Sequence, residues 1–258
     1  LGKRMAAKSA DPDGCTGVML LPEATRDRVV IHCQNWDWKK DCVETGVVLK
    51  VRRDDGPDVL TLTEAGGLAR AGLNAAGIAV TANYLECDRD YRQIGVPLAL
   101  VRRKVLDSDN LAHALQVAYC TPKSSANNLM ISHACGIAID LECAPDETFA
   151  LHPERGMLVH ANHWQSQAAL SKLKECGIGW MPDSLYRDTR VRGLLAPDLG
   201  GLTRDHVRRA LLDDFQTPYA VCRPPLRNPA TGTYSATVAM LLMEPAHRRR
   251  IDAEKGER

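Results

Sequence analysis

The sequence predicts an α+β fold with stacked sheets and helices outside them. Short β-branched segments bounded by turn residues occupy much of residues 15–81. Two amphipathic helical stripes follow, and strand patterns return from residue 129. Segregated runs of this kind argue against an alternating, doubly wound parallel sheet. With 258 residues and no internal repeat, low-complexity tract or linker, one domain is expected.

Taken in order, residues 1–12 are polar and irregular and end in Asp11-Pro12. A strand is expected to begin at Cys15 and to run through Gly17-Val18-Met19-Leu20-Leu21. Further strands are expected at 29–33, 47–51 and 59–63, the last two joined by the hairpin turn Asp54-Asp55-Gly56-Pro57. Gly66-Gly67 and Gly72 fit close packing of neighbouring backbones, since no Lys-Ser/Thr follows to make a phosphate loop. Gly77-Ile78-Ala79-Val80-Thr81 opens another strand.

Leu98, Val101 and Val105 then recur at helical spacing after Pro97, a residue suited to a first helical turn. Leu111, Ala114, Leu115 and Ala118 make a second stripe, with Asp109 as the capping candidate. Strands are expected at 129–132, 137–141 and 157–160, and a helical region at 184–214 in which Thr203 caps a helix. An apolar strand at 236–243 is expected to close the chain.

Composition removes several function classes. The 33 basic and 32 acidic residues are interspersed and give a net charge of +1, so there is no nucleic-acid footprint. The arginine-rich stretch 247–250 reads as a solvated end. No apolar run reaches the roughly 20 residues of a membrane span, and no membrane partner is expected. Nine cysteines without a C-x-x-C pair fit reduced thiols in a cytoplasmic compartment, not a disulfide framework or a cysteine-type zinc site. The chain opens on Leu1, which reads as a fragment or processed piece. A serine-hydrolase elbow, a zinc-protease helix and a Walker motif are all lacking.

Four polar constellations remain: Gly14-Cys15, Gln34-Asn35-Trp36-Asp37-Trp38, Asn83-Tyr84, and His160-Ala161-Asn162-His163-Trp164. Each has a plain reading as a buried thiol, packed indoles, turn asparagines or core histidines. His160 and His163 at i, i+3 lack a third metal ligand by spacing, so no metal is expected.

In this order the four resemble the acyl-coenzyme A:6-aminopenicillanic acid acyltransferase family of N-terminal-nucleophile (Ntn) hydrolases. The likeness runs through Asp13-Gly14-Cys15-Thr16, Gln34-Asn35-Trp36-Asp37, Thr63-Glu64-Ala65-Gly66, Gly72-Leu73-Asn74-Ala75-Ala76-Gly77, Gly95-Val96-Pro97 and Val159-His160-Ala161-Asn162-His163. It is more distantly similar to penicillin V acylases and bile-salt hydrolases. The resemblance implies a four-layer αββα sandwich with the nucleophile at the start of a central strand. Residues 1–14 would be the remnant of a propeptide ahead of a self-cleavage site between Gly14 and Cys15, and 15–258 the catalytic domain. It further implies a longer segment before the cysteine than the 14 residues present.

Carried over by motif position, Cys15 is the nucleophile and Asp37 orients its amino group. Asn162 is the oxyanion donor or positions the substrate, with Asn83 as a second donor. Trp36, Tyr84, His163 and Trp164 are expected to line the substrate pocket. The substrate would be a small acylated amine or amide, with acyl-coenzyme A a candidate donor and no other cofactor. The cleaved fragments would stay together as a heterodimer. Tyr234 and Ala144 stand where the penicillin-forming enzyme has an arginine and a serine, so poor penicillin formation is expected.

The chemistry suits these residue types. A cysteine attacks as its thiolate, with an unperturbed pKa of about 8.5, and an N-terminal amine of pKa about 7.7–8.0 can take its proton. One residue thus supplies nucleophile and base. Two other readings stay open: an inactive or precursor-locked member that only binds acyl ligands, and a thiol enzyme pairing its cysteine with His160 or His163.

Overall fold

The computed structural model describes residues 14–228, 232–247 and 251–255. Residues 1–12, expected to be irregular, lie outside this description, as do the arginines 248–250. The chain runs β1 (Gly14–Leu20), β2 (Ile31–Lys39), the short α1 (Cys42–Thr45), then β3 (Gly46–Val51), β4 (Val59–Glu64), β5 (Ala71–Asn74) and β6 (Ile78–Tyr84). After α2 (Leu98–Leu106) and α3 (Leu111–Cys120) come β7 (Asn127–His133), β8 (Ile137–Cys143), β9 (Thr148–Leu151) and β10 (Met157–His160). The last part holds α4 (Gln167–Leu170), α5 (Asp183–Leu195), α6 (Arg204–Leu211), β11 (Leu226–Arg227), β12 (Tyr234–Met243) and β13 (Ile251–Lys255).

Two sheets result. One has the order β10-β1-β2-β12-β11, with β13 paired to β12; the other runs β3-β4-β5-β6-β7-β8-β9. Val191, Leu195, Val207 and Leu211 of α5 and α6 pack on Val18, Leu20, Ile31 and Cys33 of the first sheet. Val101, Val105, Ala114 and Ala118 of α2 and α3 cover Ile78, Val80, Leu129 and Ile131 of the second. Between the sheets, Met19 and Leu158 meet Met130 and Ala138, and Met243 meets Leu73 and Ala79. The layers are therefore α, β, β, α. Every residue of β1 is buried, since both faces of that strand are covered, which is why its sequence is an unbroken run and not an alternation.

Polar ties cross the same interlayer space. The buried His32 sits 2.8 Å from Ser132 Oγ and 2.9 Å from Thr81 Oγ1, joining β2 to β7 and β6. A buried polar group needs such partners, and this one has both ring nitrogens engaged. At Gly72 a Cβ would come within 2.4 Å of the Leu60 carbonyl oxygen, so only glycine lets β4 and β5 approach there.

Several expectations shift in detail. Asn110, not Asp109, caps α3 by accepting from the His113 backbone N–H at 2.9 Å. The helical region 184–214 is two helices split by a 3-10 turn at Ala196–Asp198. The segment 236–243 lies within β12 but does not close the chain, because β13 pairs beside it. The strand expected at 29–33 runs instead over Ile31–Lys39, so Gln34–Trp38 lies inside β2. Among the described residues no helix is long and apolar enough to cross a membrane.

Candidate active site

β1 delivers Cys15 one residue into the strand, opposite Trp36, with Gly14 opposite Asp37. The Cys15 backbone N–H donates to Asn162 Oδ1 at 2.8 Å, across 147 residues of sequence. Asn162 lies just past β10, where the strand has stopped and the side chain can turn toward β1. Its oxygen also accepts from Arg187 Nη2 at 2.8 Å, and its Nδ2 donates to the Tyr84 carbonyl at 3.0 Å. Three partners of fixed polarity set this amide's orientation, since a flip would face donor to donor.

Arg187 is fully buried on α5 and spends its fork on this site. Nη1 donates to the Cys15 carbonyl at 2.7 Å and to Thr16 Oγ1 at 2.8 Å, and Nε to Asp183 Oδ2 at 2.9 Å. Asp183 is shared with Arg223 Nη2, so both arginines are compensated by one mostly buried carboxylate and by Asp37. Burying two guanidiniums is tolerable only with such pairing.

Asp37 is completely buried on β2. Its Oδ1 accepts from Thr237 Oγ1 at 2.6 Å, whereas Oδ2, 3.5 Å from Arg223 Nε, has no hydrogen bond. That bare oxygen lies against Gly14: a Cβ there would stand 3.0 Å from Oδ2 and 3.1 Å from Arg223 Cζ. Burial raises the Asp37 carboxyl above its ordinary range, with Arg223, Arg187 and Thr237 opposing. Burial, reinforced by the Asp37 charge, pushes the Cys15 thiol up to about 12; the Asp37 backbone N–H, Arg70 and Arg187 pull the other way.

Cys15 opens on a cavity of about 150 Å³ lined also by Gln34, Trp36, Asp37, Trp38, Asn83 and Tyr84. Asn83 Nδ2 donates one hydrogen to the His160 carbonyl at 2.9 Å, while its Oδ1 accepts from Gln34 Nε2 at 2.7 Å. A primary amide nitrogen carries a second hydrogen, and Asn83 stands on the cavity wall.

The predicted set therefore divides. Cys15, Asp37, Asn83, Trp36, Tyr84 and Gly14 share the cavity, and Asn162 touches the Cys15 nitrogen behind it. Asn162 meets Cys15 through its oxygen, and its amide nitrogen donates one hydrogen to the Tyr84 carbonyl. Trp164 and His163 do not line the cavity. Trp164 is buried among Leu85, Cys87 and Phe149, with its Nε1–H on the Glu86 carbonyl at 3.0 Å. His163 Nδ1 is 2.8 Å from Ser184 Oγ, and burial, with His160 and Arg187 nearby, lowers it to about 4. His160 is clamped by Glu142 Oε1 at 2.9 Å; burial opposes its charged form, but Asp140 and Glu142 hold it near 9. Neither histidine has a contact to Cys15, and among the described residues no cluster of three His, Cys, Asp or Glu groups could hold a metal.

Arg187, Arg223, Asp183 and Thr237 escaped the sequence reading. Asp183 and Arg187 look like an ordinary i, i+4 pair on a helix that also carries Asp188, Arg190 and Arg192. Arg223 sits in a loop before Pro224-Pro225, where no periodicity marks it. Thr237 lies within the expected strand 236–243, where nothing marks it for a polar role.

A sequence profile of the family described as acyl-coenzyme A:6-aminopenicillanic acid acyl-transferase matches residues 24–251. The chain belongs to that family. A relative named acyl-coenzyme A:6-aminopenicillanic-acid-acyltransferase 40 kDa form, from Emericella nidulans, is 26% identical over 212 residues. The alignment covers 82% of this chain but 57% of that relative, so the chain spans little more than half its length. The conjugated bile acid hydrolase of Clostridium perfringens has the same fold, with a TM-score of 0.59 at 12% identity over 94% of this chain and 92% of that one. Penicillin V acylase from Agrobacterium tumefaciens gives 0.57 at 16% identity, covering 94% and 83%. The fold is thus that of the Ntn hydrolases, an αββα sandwich.

Proposed function

We propose that this family member is a self-cutting cysteine amidohydrolase or acyltransferase that carries its acyl intermediate as a thioester on Cys15. The observation supporting this most directly is the convergence of Asn162, Asp37 and Arg187 on the Cys15 peptide unit from three distant segments. A packed cysteine's backbone is satisfied by its strand neighbours; here side chains from distant segments take its N–H and clamp its carbonyl, and a carboxylate oxygen without a hydrogen bond stands beside the preceding glycine.

In the first cut the thiol adds to the Gly14 carbonyl carbon and gives its proton to Asp37. The Asp37 carboxyl is held above its ordinary range, which makes it a better base for a thiol than a surface carboxylate. The Gly14–Cys15 C–N bond then breaks, the proton passes to the leaving Cys15 nitrogen, and a thioester remains. Water opens it, its hydroxyl going to Gly14 and its proton to sulfur. The freed amine keeps Asn162 Oδ1 as acceptor and lies where Asp37 can hold it as ammonium or let it serve as base. An incoming acylated amine meets the same sulfur. Asn83, with one amide hydrogen to spare on the cavity wall, takes the oxyanion role, and water or a second amine removes the acyl group.

The substrate class is a small acylated amine or amide, in keeping with relatives named for conjugated bile acid and for N-acylethanolamine hydrolysis. The two fragments would stay associated as a heterodimer; Gly14, the last residue of the smaller one, pairs with Asp37 of β2.

Intact-mass analysis of freshly made protein tests the reading. Two fragments are expected, the larger beginning at Cys15, and Cys15→Ala should give one chain without turnover of N-acyl amines. Uncut yet active protein would end the self-cutting claim. A thiol held near 12 in the uncut chain also fits a precursor-locked binder; an uncut, inactive wild type that binds acyl ligands would select that reading instead.

A further inference from the structure

Two guanidinium groups line the cavity beside Cys15, and they are in very different states. Arg70 is committed: Nε donates to Glu64 Oε2 at 2.7 Å, Nη2 pairs with Oε1, and the guanidinium lies 4.6 Å and 4.8 Å from the Trp36 and Trp38 ring centroids. Arg102 is not. Its Nε is enclosed without a hydrogen-bond partner, and among the described residues Arg102 makes no hydrogen bond or ion pair.

The helix makes this arrangement pointed. Leu98 and Arg102, one turn apart on α2, both face the cavity, while Val101 and Val105 face the core behind. The next residue, Arg103, turns to Asp107 at 2.8 Å, so a carboxylate partner was available one position along and Arg102 does not use it. Arg102 as a whole is half-buried, with Nε enclosed, and an enclosed donor without a partner is costly. Arg70 and Glu64 cancel, which leaves Arg102 as uncompensated positive charge on the wall next to the reacting sulfur. Burial and the Arg70 charge lower its pKa to about 10 against Glu64 and Cys15, so it is still cationic at neutral pH.

We propose that Arg102 is a specificity residue whose guanidinium receives a carboxylate of the substrate, so that the preferred substrates are acylated amines bearing a carboxylate within reach of Cys15. This rests on Cys15 being the nucleophile. A carboxylate matches the planar fork with two parallel N–H···O bonds and restores the missing partner. The acid group sits on either the amine half or the acyl half of the substrate, and the two cases are separable.

The test compares matched pairs: N-butanoylglycine against N-butanoylglycinamide for the amine half, and glutaric acid mono-ethylamide against pentanoic acid ethylamide for the acyl half. Wild type should favour the acid of one pair by roughly 10- to 100-fold in kcat/KM, the range of a hydrogen-bonded charge. Arg102→Gln should bring that ratio to near one, mainly through KM, and Arg102→Lys should restore part of it. The pair that responds identifies the half. A ratio unchanged in Arg102→Gln, or no acid preference in wild type, overturns the proposal. Should Arg102→Gln not fold, Arg102→Lys is read alone, and an undiminished ratio is the refuting result.

Should wild type turn over none of the four, the melting temperature of Cys15→Ala with butanoylglycine or glutarate decides. A rise that disappears on adding Arg102→Gln and is at most partly kept with Arg102→Lys supports the subsite, and an undiminished rise in Arg102→Gln, or no rise with either acid, refutes it. A failure of the cutting chemistry is read separately, from the missing new N-terminus at Cys15.

Discussion

Replacing Asn162 by alanine or by aspartate separates two roles that the same side chain could fill. Alanine removes the acceptor of the buried Cys15 N–H and of one buried Arg187 N–H, and one donor to the partly buried Tyr84 carbonyl. A buried unsatisfied group costs about 1–3 kcal/mol, so the variant should lose about 3–5 kcal/mol after partial relaxation, a large part of a typical domain's stability. Aspartate is nearly isosteric and keeps an acceptor for both N–H groups, with a charge that suits Arg187. It gives up only the donation to Tyr84, at about 1–3 kcal/mol. If Asn162 serves Cys15 through its oxygen, Asn162→Asp should remain folded and appear as the cut form within about tenfold of the wild-type rate. If it serves as an oxyanion donor, aspartate should slow cutting by about 100- to 1000-fold, as alanine does. Urea melts and a time course of the new N-terminus supply both quantities. Folded Asn162→Asp that cuts as slowly as Asn162→Ala would refute the acceptor role.

Two other outcomes follow from buried titrating groups. Burial lowers His32 from 6.5 to about 3, so the neutral ring is favoured in the fold; the stability this confers is present above about pH 6.5 and is lost as pH falls toward 3. At about 1.4 kcal/mol per pH unit this sums to about 5 kcal/mol, and His32→Gln should flatten the acid side of the urea-midpoint profile; an unchanged profile would show that His32 does not set it. Iodoacetamide at pH 8 should mark the exposed Cys120 and Cys135 of uncut Cys15-containing chains well before Cys15, whose buried thiol is pushed up to about 12. Peptide mass mapping that finds Cys15 labelled as fast as the other two would contradict this.

Much of the fold was legible because its signals are local. Val47–Val51 and Val59–Thr63 with Asp54-Asp55-Gly56-Pro57 between them become the β3–β4 hairpin, Val51 opposite Val59. Met157–His160 is β10 as expected, and Thr203 caps α6. β5 and β9 went unseen because four-residue strands inside Gly/Ala-rich or mixed stretches carry too little pattern. At the candidate site, Cys15, Asp37, Asn83 and Asn162 were nominated by ordered motifs, which report position but not which atom points where. The Asn162 oxygen faces Cys15 because Tyr84 claims the nitrogen, a fact of tertiary packing. Trp164 and His163 shared a motif with Asn162 yet point to other partners, since successive residues leaving a strand diverge. Arg187 and Arg102 are the plainest omissions. Each sits on a helix among other arginines, and only packing separates a buried guanidinium from a solvated one.

The bond from Thr237 to Asp37 spans 200 residues, and the same hydroxyl accepts from the Arg223 backbone N–H at 2.8 Å. A chain made from its N-terminus therefore emerges with Cys15 well before the last support of the Asp37 carboxylate, which comes only when β12 has been synthesised and has zipped against β2. Under the proposed chemistry the thiol has no competent partner during that interval. The cut then acts as a time stamp: a nascent chain arrested before residue 237 should accumulate intact, and the appearance of a free Cys15 amine should date the moment the sheet was completed.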